Sequence, residues 1–362
     1  MNKIVTILGA RPQFIKASIV SKKINKEHIP EVIIYTGQHY DKNLSELFFK
    51  ELNLPEIKYN LKIGSSTHGK QTGEMLIKIE EILFKEKPDV VLVYGDTNST
   101  LAGALAASKI DIPIAHVEAG LRCFNKQLPE EINRILTDNM SEILFAPTST
   151  AKKNLKKENI TKGVYLVGDV MYDLFLEIKE IIDEKSILRR FNIDPEKFIL
   201  VTIHRAENTD LKENLEEIWN ALEEISRTNI KVIFPIHPRT FKALKNFNLL
   251  NNKTPDNLIL IQPISYKEMF TLEKNAKLII TDSGGVQKEG YFHKTQCLIV
   301  RGETSWSELV QTGWNKLTGA NKKSIYEETI KRFNSNISKQ WKSFYGQGNA
   351  SDKIVNIIKK LL

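Results

Sequence analysis

The chain has 362 residues, 41% of them hydrophobic and 27% charged, and its formal net charge is +8 at pH 7. This length fits two α/β domains better than a single core, and the composition excludes disordered and fibrous proteins. The lysines are dispersed, and no arginine-rich stripe alternates with aromatic residues. We therefore expect no nucleic-acid partner, and no apolar stretch is long enough to predict a membrane partner.

The first residues, MNKIVTILGARPQF, place one lysine before a short apolar run. Arg11 and Pro12 interrupt this run and no small-residue cleavage site follows, so the pattern favours a β-strand over a secretory signal. Cys123 and Cys297 lie far apart in the sequence, which indicates no disulfide framework. These features together predict a cytoplasmic protein.

Short β-branched runs alternate with helical patterns along the chain. The strands predicted in the first half are residues 3–8, 31–36, 89–94, 113–118 and 142–146, with helices at 72–84 and 99–109. The strands predicted in the second half are residues 198–201, 231–235, 258–261, 277–281 and 296–300. Strands that alternate with helices form right-handed βαβ units, so we predict an α/β protein with two Rossmann-like parallel sheets and a cleft between them.

The predicted domains are residues 1–170 and 171–350, with a last helix at 351–362. The segment from about 171 to 190 is helical and rich in charge, and it carries no strand pattern. This segment is the best candidate for the connection between the domains. Ligands of parallel sheets bind beyond the carboxyl ends of the strands, so functional residues are expected in the loops that follow strands.

The loop at residues 9–13, GARPQ, joins the first strand to its helix. Arg11 at a helix N-terminus offers a bidentate donor to a phosphate, together with backbone amides. Lys16 follows one turn later. The alternative is a plain turn in which Arg11 is solvated.

The loop at residues 281–287, TDSGGVQ, also follows an apolar strand and opens a helix. Gly284 and Gly285 would let a diphosphate approach the helix amides, and the hydroxyl of Ser283 adds a donor. Glu289, further along, could accept hydrogen bonds from ribose hydroxyls. The alternative is a tight turn with Ser283 or the preceding Asp as the helix cap.

Three further loops supply acid–base groups. Asp96 and Glu118 each follow a predicted strand, and Glu130 and Glu131 open the next helix. Carboxylates that converge at neighbouring strand ends can transfer protons near neutral pH, because crowding and burial raise their pKa values. The alternatives are that Asp96 caps a helix and that the two glutamates favour a helix dipole.

The histidines predict phosphate or proton chemistry and no metal site. His204 follows the first strand of the second half, where it could donate to a phosphate or act as a general acid, and His237 is a weaker candidate. His39, His68 and His116 have no partners at metal-ligand spacing.

Other enzyme classes fit less well. Residues 64–71, GSSTHGKQ, are close to a P-loop, but Gln71 stands where a Ser or Thr hydroxyl must reach Mg²⁺. The first strand leads into Gly-Ala-Arg-Pro and not into Gly-x-Gly-x-x-Gly, which disfavours an NAD enzyme. A nucleotide-binding module without catalysis, and a glycosyltransferase of the same architecture, stay as alternatives.

Six motifs together resemble the non-hydrolysing UDP-N-acetylglucosamine 2-epimerases. They are residues 9–16 (GARPQFIK), 94–97 (YGDT), 116–122 (HVEAGLR), 129–134 (PEEINR), 204–205 (HR) and 281–287 (TDSGGVQ). The resemblance implies the two-domain architecture of the glycosyltransferase B group, with the last helix crossing back onto the first domain. It also implies a UDP-sugar substrate, a homodimer, and no metal or redox cofactor.

The resemblance also implies roles for the residues at matching positions. Asp96, Glu118 and Glu130 would be the acid–base carboxylates, with Lys16 beside the reacting centre. UDP would be held by Arg11, His204, Ser283, Gly284, Gly285 and Glu289. The family eliminates UDP to form a 2-acetamidoglucal, reprotonates carbon 2 from the opposite face, and adds UDP back.

The loop at residues 304–308 departs from the usual Thr-Glu-Arg-Pro-Glu and reads TSWSE. This loop is more similar to the branch that epimerises UDP-2,3-diacetamido-2,3-dideoxyglucuronate. A 3-acetamido group favours an apolar surface and a carboxylate favours a cation, which Trp306, Lys288 or Arg301 could provide. UDP-N-acetylglucosamine stays as the alternative substrate. Ala206 stands where members activated by their own substrate often carry a second Arg, so such activation is not predicted.

Overall fold

The computed structural model describes residues 3–38, 54–250, 254–335 and 340–361. The chain forms two compact units, one of Met1–Glu177 with Ser343–Leu362 and the other of Ile178–Lys342. His39, considered above as a metal ligand, lies outside the described residues.

The first unit contains a seven-stranded sheet with the order β3-β2-β1-β4-β5-β6-β7, and every pairing in it is parallel. Its strands are β1 (Ile4–Leu8), β2 (Glu31–Tyr35), β3 (Ile57–Asn60), β4 (Val90–Tyr94), β5 (Ile114–Val117), β6 (Ile143–Ala146) and β7 (Val164–Leu166). Its helices are α1 (Arg11–Lys26), α2 (His68–Glu86), α3 (Asn98–Lys109), α4 (Pro129–Met140), α5 (Ser149–Lys157), α6 (Val170–Lys179, whose last two residues belong to the second unit) and α15 (Ala350–Leu361).

The second unit contains a six-stranded sheet with the order β10-β9-β8-β11-β12-β13, again parallel throughout. Its strands are β8 (Phe198–Thr202), β9 (Lys231–Pro235), β10 (Leu258–Ile261), β11 (Leu278–Thr281), β12 (Cys297–Ile299) and β13 (Asn315–Leu317). Its helices are α7 (Glu184–Phe191), α8 (Ala206–Thr209), α9 (Lys212–Arg227), α10 (Pro238–Asn246), α11 (Tyr266–Asn275), α12 (Gly284–His293), α13 (Ser307–Gln311) and α14 (Lys322–Phe333). The predicted α/β class with two parallel sheets is confirmed.

Strands at the centre of each sheet are buried on both faces, which explains their unbroken apolar sequences. β4 reads Val-Val-Leu-Val-Tyr and all five residues are buried. The helices that cover the sheets are amphipathic, and α2 packs Met75, Ile79 and Leu83 against Val91 and Val93. This spacing of three and four residues places the apolar side chains on one helix face.

In each sheet the first strand lies near the centre, and the strand order reverses there: later strands are added first on one side of it and then on the other. In the first sheet β1 pairs with both β2 and β4, and in the second sheet β8 pairs with both β9 and β11. Such a reversal opens a crevice at the carboxyl ends of the strands. The loops after β1, β4, β5, β8 and β11 therefore take the positions where a ligand of each sheet would bind.

The last helix belongs to the first unit, where it packs against α1. Asp173 accepts hydrogen bonds from the backbone amides of Ala350 (3.1 Å) and Ser351 (2.7 Å), which begin this helix. Within the described residues, no helix is long and apolar enough to cross a membrane. Cys123 and Cys297 are free thiols.

Candidate active site

Gln13 fixes the loop after β1. Its Oε1 accepts hydrogen bonds from the amides of Gly9 (2.7 Å) and Ala10 (2.9 Å), and its Nε2 donates to the carbonyl of Tyr94 (2.8 Å). A Cβ atom on Gly9 would lie 1.8 Å from Oγ of Ser99, so only glycine fits there. The loops after β1 and β4 are thus held against each other, and Arg11 begins α1 beside them.

Lys16 on α1 and Glu118 in the loop after β5 form a buried ion pair. The Lys16 Nζ contacts the Glu118 Oε2, and both side chains are only 9% exposed. Glu118 follows β5 with a φ of 78°, a left-handed conformation that costs a non-glycine residue about 1–3 kcal/mol. Gly95 lies against the pair, because a Cβ atom there would be 3.3 Å from both charged atoms.

Asp96 is held by two residues of α4. Its Oδ2 accepts from Nη2 of Arg134 (2.5 Å), and its carbonyl accepts from Nδ2 of Asn133 (2.9 Å). The cap of α3 is Thr97, whose Oγ1 accepts from the amide of Thr100, so the alternative that Asp96 caps this helix is wrong. The Asp96 side chain is 28% exposed, so its carboxylate reaches the surface of the crevice.

Glu130 and Glu131 are adjacent in the sequence but differ in environment. Glu131 is fully buried and accepts from the amides of Cys123 (3.1 Å) and Phe124 (2.8 Å) and from Nη1 of Arg134 (2.7 Å). Glu131 therefore fixes the backbone that follows the Glu118 loop. Glu130 is half-buried in the first turn of α4.

Burial alone would lower the pKa of Arg134. The charge of Asp96, the hydrogen bond that Arg134 donates to Glu131 and the charge of Glu131 outweigh this effect and raise that pKa above its ordinary value. Arg134 is therefore a permanent cation that keeps Asp96 close to Glu131.

A second buried network lies under the same loops, and its central residue was not identified from the sequence. Asp138 on α4 accepts from Nδ1 of His116 (2.7 Å), from Nη1 of Arg122 (2.7 Å) and from the amide of Gly120 (3.0 Å). The polar residues 131, 134 and 138 share one face of α4, and this spacing was the available signal.

In the second unit, Asp282 joins the loops after β8 and β11. It is fully buried and accepts from the amides of His204 (3.0 Å) and Arg205 (2.9 Å) and from Nδ2 of Asn208 (3.1 Å). Nδ1 of His204 lies 3.4 Å from the same carboxylate, while the His204 side chain stays 38% exposed. Asp282 thus fixes the backbone around His204 and leaves its ring accessible.

Ser283 is the cap of α12, as one of the sequence alternatives proposed. Its Oγ accepts from the amide of Val286 (3.5 Å), which leaves the hydroxyl proton for another acceptor. Gly284 begins the helix, and a Cβ atom there would lie 3.4 Å from Nε1 of Trp306. Capping and anion binding are therefore compatible at this helix N-terminus, which Gly285 continues.

Three other residues predicted to bind ligand have close partners. Glu289 is 6% exposed and accepts from the hydroxyl of Tyr266 (2.6 Å). Arg301 forms an ion pair with Glu207. Lys288 is 1% exposed, with its Nζ 4.2 Å from the centre of the Trp306 ring.

Weaker histidine candidates have structural contacts. Nδ1 of His237 accepts from the amide of Arg239 (3.2 Å) and caps α10, and Nδ1 of His68 lies 3.0 Å from Nδ2 of Asn98. Among the described residues, no group of three or more His, Cys, Asp and Glu side chains is arranged to hold a metal ion.

Comparison with known proteins identifies relatives over nearly the whole chain. A family model described as UDP-N-acetylglucosamine 2-epimerase matches residues 22–359. The chain is 58% identical over 362 residues to a UDP-N-acetylglucosamine 2-epimerase homolog of Methanococcus maripaludis, covering 99% of this chain and 100% of the relative. It is 47% identical over 363 residues to the UDP-2,3-diacetamido-2,3-dideoxy-D-glucuronate 2-epimerase of Pseudomonas aeruginosa, covering 99% and 100%.

A solved structure is also similar over nearly the whole chain. It is the crystal structure of the Methanocaldococcus jannaschii UDP-GlcNAc 2-epimerase in complex with UDP-GlcNAc and UDP. The TM-score is 0.92 and the sequence identity is 47%, with 99% of each chain covered.

Proposed function

The chain belongs to the UDP-N-acetylglucosamine 2-epimerase family, and from this premise we propose that it inverts carbon 2 of the sugar in a UDP-N-acetylhexosamine. Such a protein is an isomerase. The glycosyltransferase alternative loses support, because the relatives at high identity are named as epimerases.

The buried pair of Lys16 and Glu118, next to Asp96, is the observation that carries the proposed chemistry. The hydrogen on carbon 2 is not acidic enough for direct exchange, so a route through elimination is needed. One carboxylate takes the proton from carbon 2 while the bond between carbon 1 and the diphosphate oxygen breaks. The bonding electrons leave with UDP, and a 2-acetamidoglucal stays bound. Protonation of carbon 2 from the opposite face and re-addition of UDP complete the inversion.

We assign Asp96, Glu118 and Glu130 to these proton transfers. Asp96 is partly exposed and Glu130 half-buried, so both can reach a substrate. Lys16 places a cation beside Glu118 and would stabilise negative charge at the reacting centre.

The second unit contributes the groups that would bind UDP. The Ser283 hydroxyl, the amides of Gly284 and Gly285 and the exposed ring of His204 can donate to the diphosphate. Glu289 can accept from the ribose hydroxyls. Arg11, which begins α1, is also proposed to bind a phosphate of UDP.

A homodimer is part of this proposal. Helix α3 packs against both α2 and α4, and the two outer helices expose large apolar side chains: Ile77 (60%), Phe84 (59%), Ile132 (43%) and Leu136 (45%). Exposed apolar side chains on adjacent helices are typical of a protein–protein interface. A second copy of the chain would cover them.

The test is epimerisation in D₂O. Purified protein incubated with a UDP-N-acetylhexosamine should place one deuterium at carbon 2 of the product, as read by NMR and mass spectrometry. Product without deuterium would exclude the elimination route. Bulk release of free hexosamine would indicate a hydrolytic enzyme, and transfer of the sugar to an acceptor would indicate a glycosyltransferase.

A further inference from the structure

Asp138 joins two of the loops that carry the proposed acid–base residues. Its Oδ1 lies 2.7 Å from Nδ1 of His116, and Nε2 of the same ring lies 2.8 Å from the carbonyl oxygen of Gly95. Its Oδ2 accepts from the amide of Gly120 at 3.0 Å. Gly95 immediately precedes Asp96, and Gly120 lies two residues after Glu118. The two oxygens of one carboxylate therefore hold the Asp96 loop and the Glu118 loop.

The hydrogen-bond partners define which groups in this network carry a charge. A carbonyl oxygen and a carboxylate oxygen only accept, so both ring nitrogens of His116 donate and the imidazole is positively charged. Arg122 is the second cation on Asp138, at 2.7 Å, and it also donates to both carboxylate oxygens of Glu158. Two cations therefore face two carboxylates, and the charges balance.

Burial alone would raise the pKa of Asp138. The hydrogen bond from His116 and the charges of His116 and Arg122 outweigh burial and hold that pKa below its ordinary value. Asp138 thus stays an ionised acceptor, although its side chain is fully buried.

The Glu118 loop has a strained backbone, because Glu118 adopts a φ of 78° that is costly for a non-glycine residue. A Cβ atom on Gly120 would lie 2.4 Å from the carbonyl of Ala151, so this turn is also tightly packed. Gly95, at a φ of 64°, adopts its conformation without steric cost. A strained backbone persists only where the surrounding contacts fix it, and Asp138 supplies a direct contact to the Glu118 loop and a contact through His116 to the Asp96 loop.

The position of Asp138 on α4 extends the network to a third group. The same helix carries Glu130 in its first turn and Arg134, which binds Asp96, between the two. We propose that Asp138 is the positioning residue that fixes Asp96, Glu118 and Glu130 relative to one another, so that proton removal and proton return occur on one bound intermediate. This inference rests on the proposed function, and Asp138 itself contacts no substrate.

The experiment compares Asp138→Asn with Asp138→Ala. The asparagine carbonyl can still accept from Arg122 and Gly120, while its amide faces Nδ1 of His116. The ring then becomes neutral and still donates from Nε2 to Gly95, so both the hydrogen bonds and the charge balance survive. Alanine removes the link to both loops.

Three readouts are measured on each protein: kcat for epimerisation, the dissociation constant of UDP, and the amount of free UDP released per sugar epimerised. We expect kcat of Asp138→Asn to stay within about fivefold of wild type, and kcat of Asp138→Ala to fall about 10²-fold, since a displacement near 1 Å can cost this much. UDP affinity should stay within about twofold, because most of the groups proposed to bind UDP lie in the second unit. Free UDP per product should rise in Asp138→Ala, because a displaced acid returns the proton slowly and the intermediate escapes.

Asp173→Ala is the matched control. Asp173 is also a buried carboxylate of the first unit, but it accepts hydrogen bonds from the backbone amides that begin α15. This variant should lose stability and keep both kcat and the ratio of UDP to product.

An unchanged UDP ratio in Asp138→Ala, or an equal loss of kcat in Asp138→Asn, would overturn the positioning role. If Asp138→Ala does not fold, His116→Phe replaces it with the same expectation, since it removes both hydrogen bonds through which the ring joins Asp138 to the carbonyl of Gly95. Wild-type protein in the same assay keeps the two proposals apart: a wild type that epimerises no UDP-sugar contradicts the proposed function.

Discussion

The Lys16 ammonium contacts the Glu118 carboxylate, and both side chains are about nine-tenths buried. The desolvation of two charges offsets most of their attraction, so a pair of this kind contributes little net stability. Glu118 also adopts a left-handed backbone conformation that a non-glycine residue rarely adopts. An arrangement that costs backbone energy and gives little stability in return is typical of a catalytic group.

The first prediction concerns this pair. Glu118→Gln should lower kcat by about 10²-fold or more, because the amide cannot accept a proton, and UDP affinity should be retained. The measurements are steady-state kinetics and UDP titration calorimetry. Glu27→Gln is the matched control, since Glu27 pairs with Lys359 at the surface, where the two side chains are 37% and 57% exposed. Full activity of Glu118→Gln would exclude its catalytic role.

The second prediction separates two adjacent glutamates. Glu130→Gln should lower kcat by about 10²-fold with little change in stability, because Glu130 is only half-buried in the first turn of α4. Glu131→Gln should cost about 2 kcal/mol of stability, since its buried carboxylate holds two backbone amides and Arg134. Kinetics and denaturant unfolding of both variants test this. The reverse assignment follows if Glu131→Gln folds normally and Glu130→Gln stays active.

The central strands could be predicted from the sequence because they are buried on both faces and read as unbroken apolar runs, as β4 does. The missed strands β3, β7 and β13 all lie at the edge of a sheet. They have only three or four residues and are partly exposed. Such segments carry too few buried residues to show a strand pattern.

The sequence predicts which loops form the candidate site. It does not predict which side chains contact each other within it. The rule that ligands bind beyond strand ends identified the loops of Asp96 and Glu118. The partner of Lys16 could not be predicted, because Glu118 is distant in sequence and its positive φ follows from tertiary packing. Asp138 is in the last turn of α4, and although residues 131, 134 and 138 share one helix face, the sequence does not show that this polar face is buried.

The third prediction uses Glu31, a partly exposed residue away from the site whose carboxylate Oε2 is buried. Burial raises the pKa of Glu31 to about 7, against 4.5 for the free side chain, although Thr6 and Ser21 donate to its Oε1. Because the folded state binds this proton more tightly than the unfolded state, the contribution of Glu31 to stability should be greatest below about pH 4.5 and be lost as the pH rises from 4.5 to about 7. Glu31→Gln should remove this loss and gain up to about 3 kcal/mol relative to wild type at pH 8. Denaturant unfolding at pH 5 and pH 8 measures it, and an equal pH dependence of both proteins would contradict it.

The fourth prediction concerns the apolar side chains of α2 and α4. Leu136→Asp combined with Ile132→Asp should convert a dimer into a monomer, because two charges would be buried without partners at the interface. Light scattering after size exclusion reports the mass. Leu211→Asp is the control, because Leu211 is 57% exposed and lies in the second unit. A wild-type protein that is already monomeric would contradict the homodimer.

The last prediction concerns which UDP-sugar is preferred. Trp306 and Lys288 form a buried cation–π contact, and Thr304 donates to Oε1 of Gln287 at 2.6 Å, so the TSWSE loop is fixed against α12. The charge of Lys288 therefore faces the indole ring. Arg301 is 11% exposed in its side chain and pairs with Glu207, which makes it the better candidate for a substrate carboxylate, because a guanidinium has donors beyond those that one glutamate uses.

We expect kcat/KM for UDP-2,3-diacetamido-2,3-dideoxyglucuronate to exceed that for UDP-N-acetylglucosamine by about 10³-fold or more, since a site built for a polar group strongly rejects an analogue that lacks it. Arg301→Gln should reduce this ratio by lowering kcat/KM for the uronate alone. Arg239→Gln is the matched control, because Arg239 also pairs with an acid of the second unit but is 46% exposed in its side chain. Equal or better use of UDP-N-acetylglucosamine by the wild type would assign the chain to the common branch, and Trp306 would then be an apolar replacement without a role in recognising the uronate.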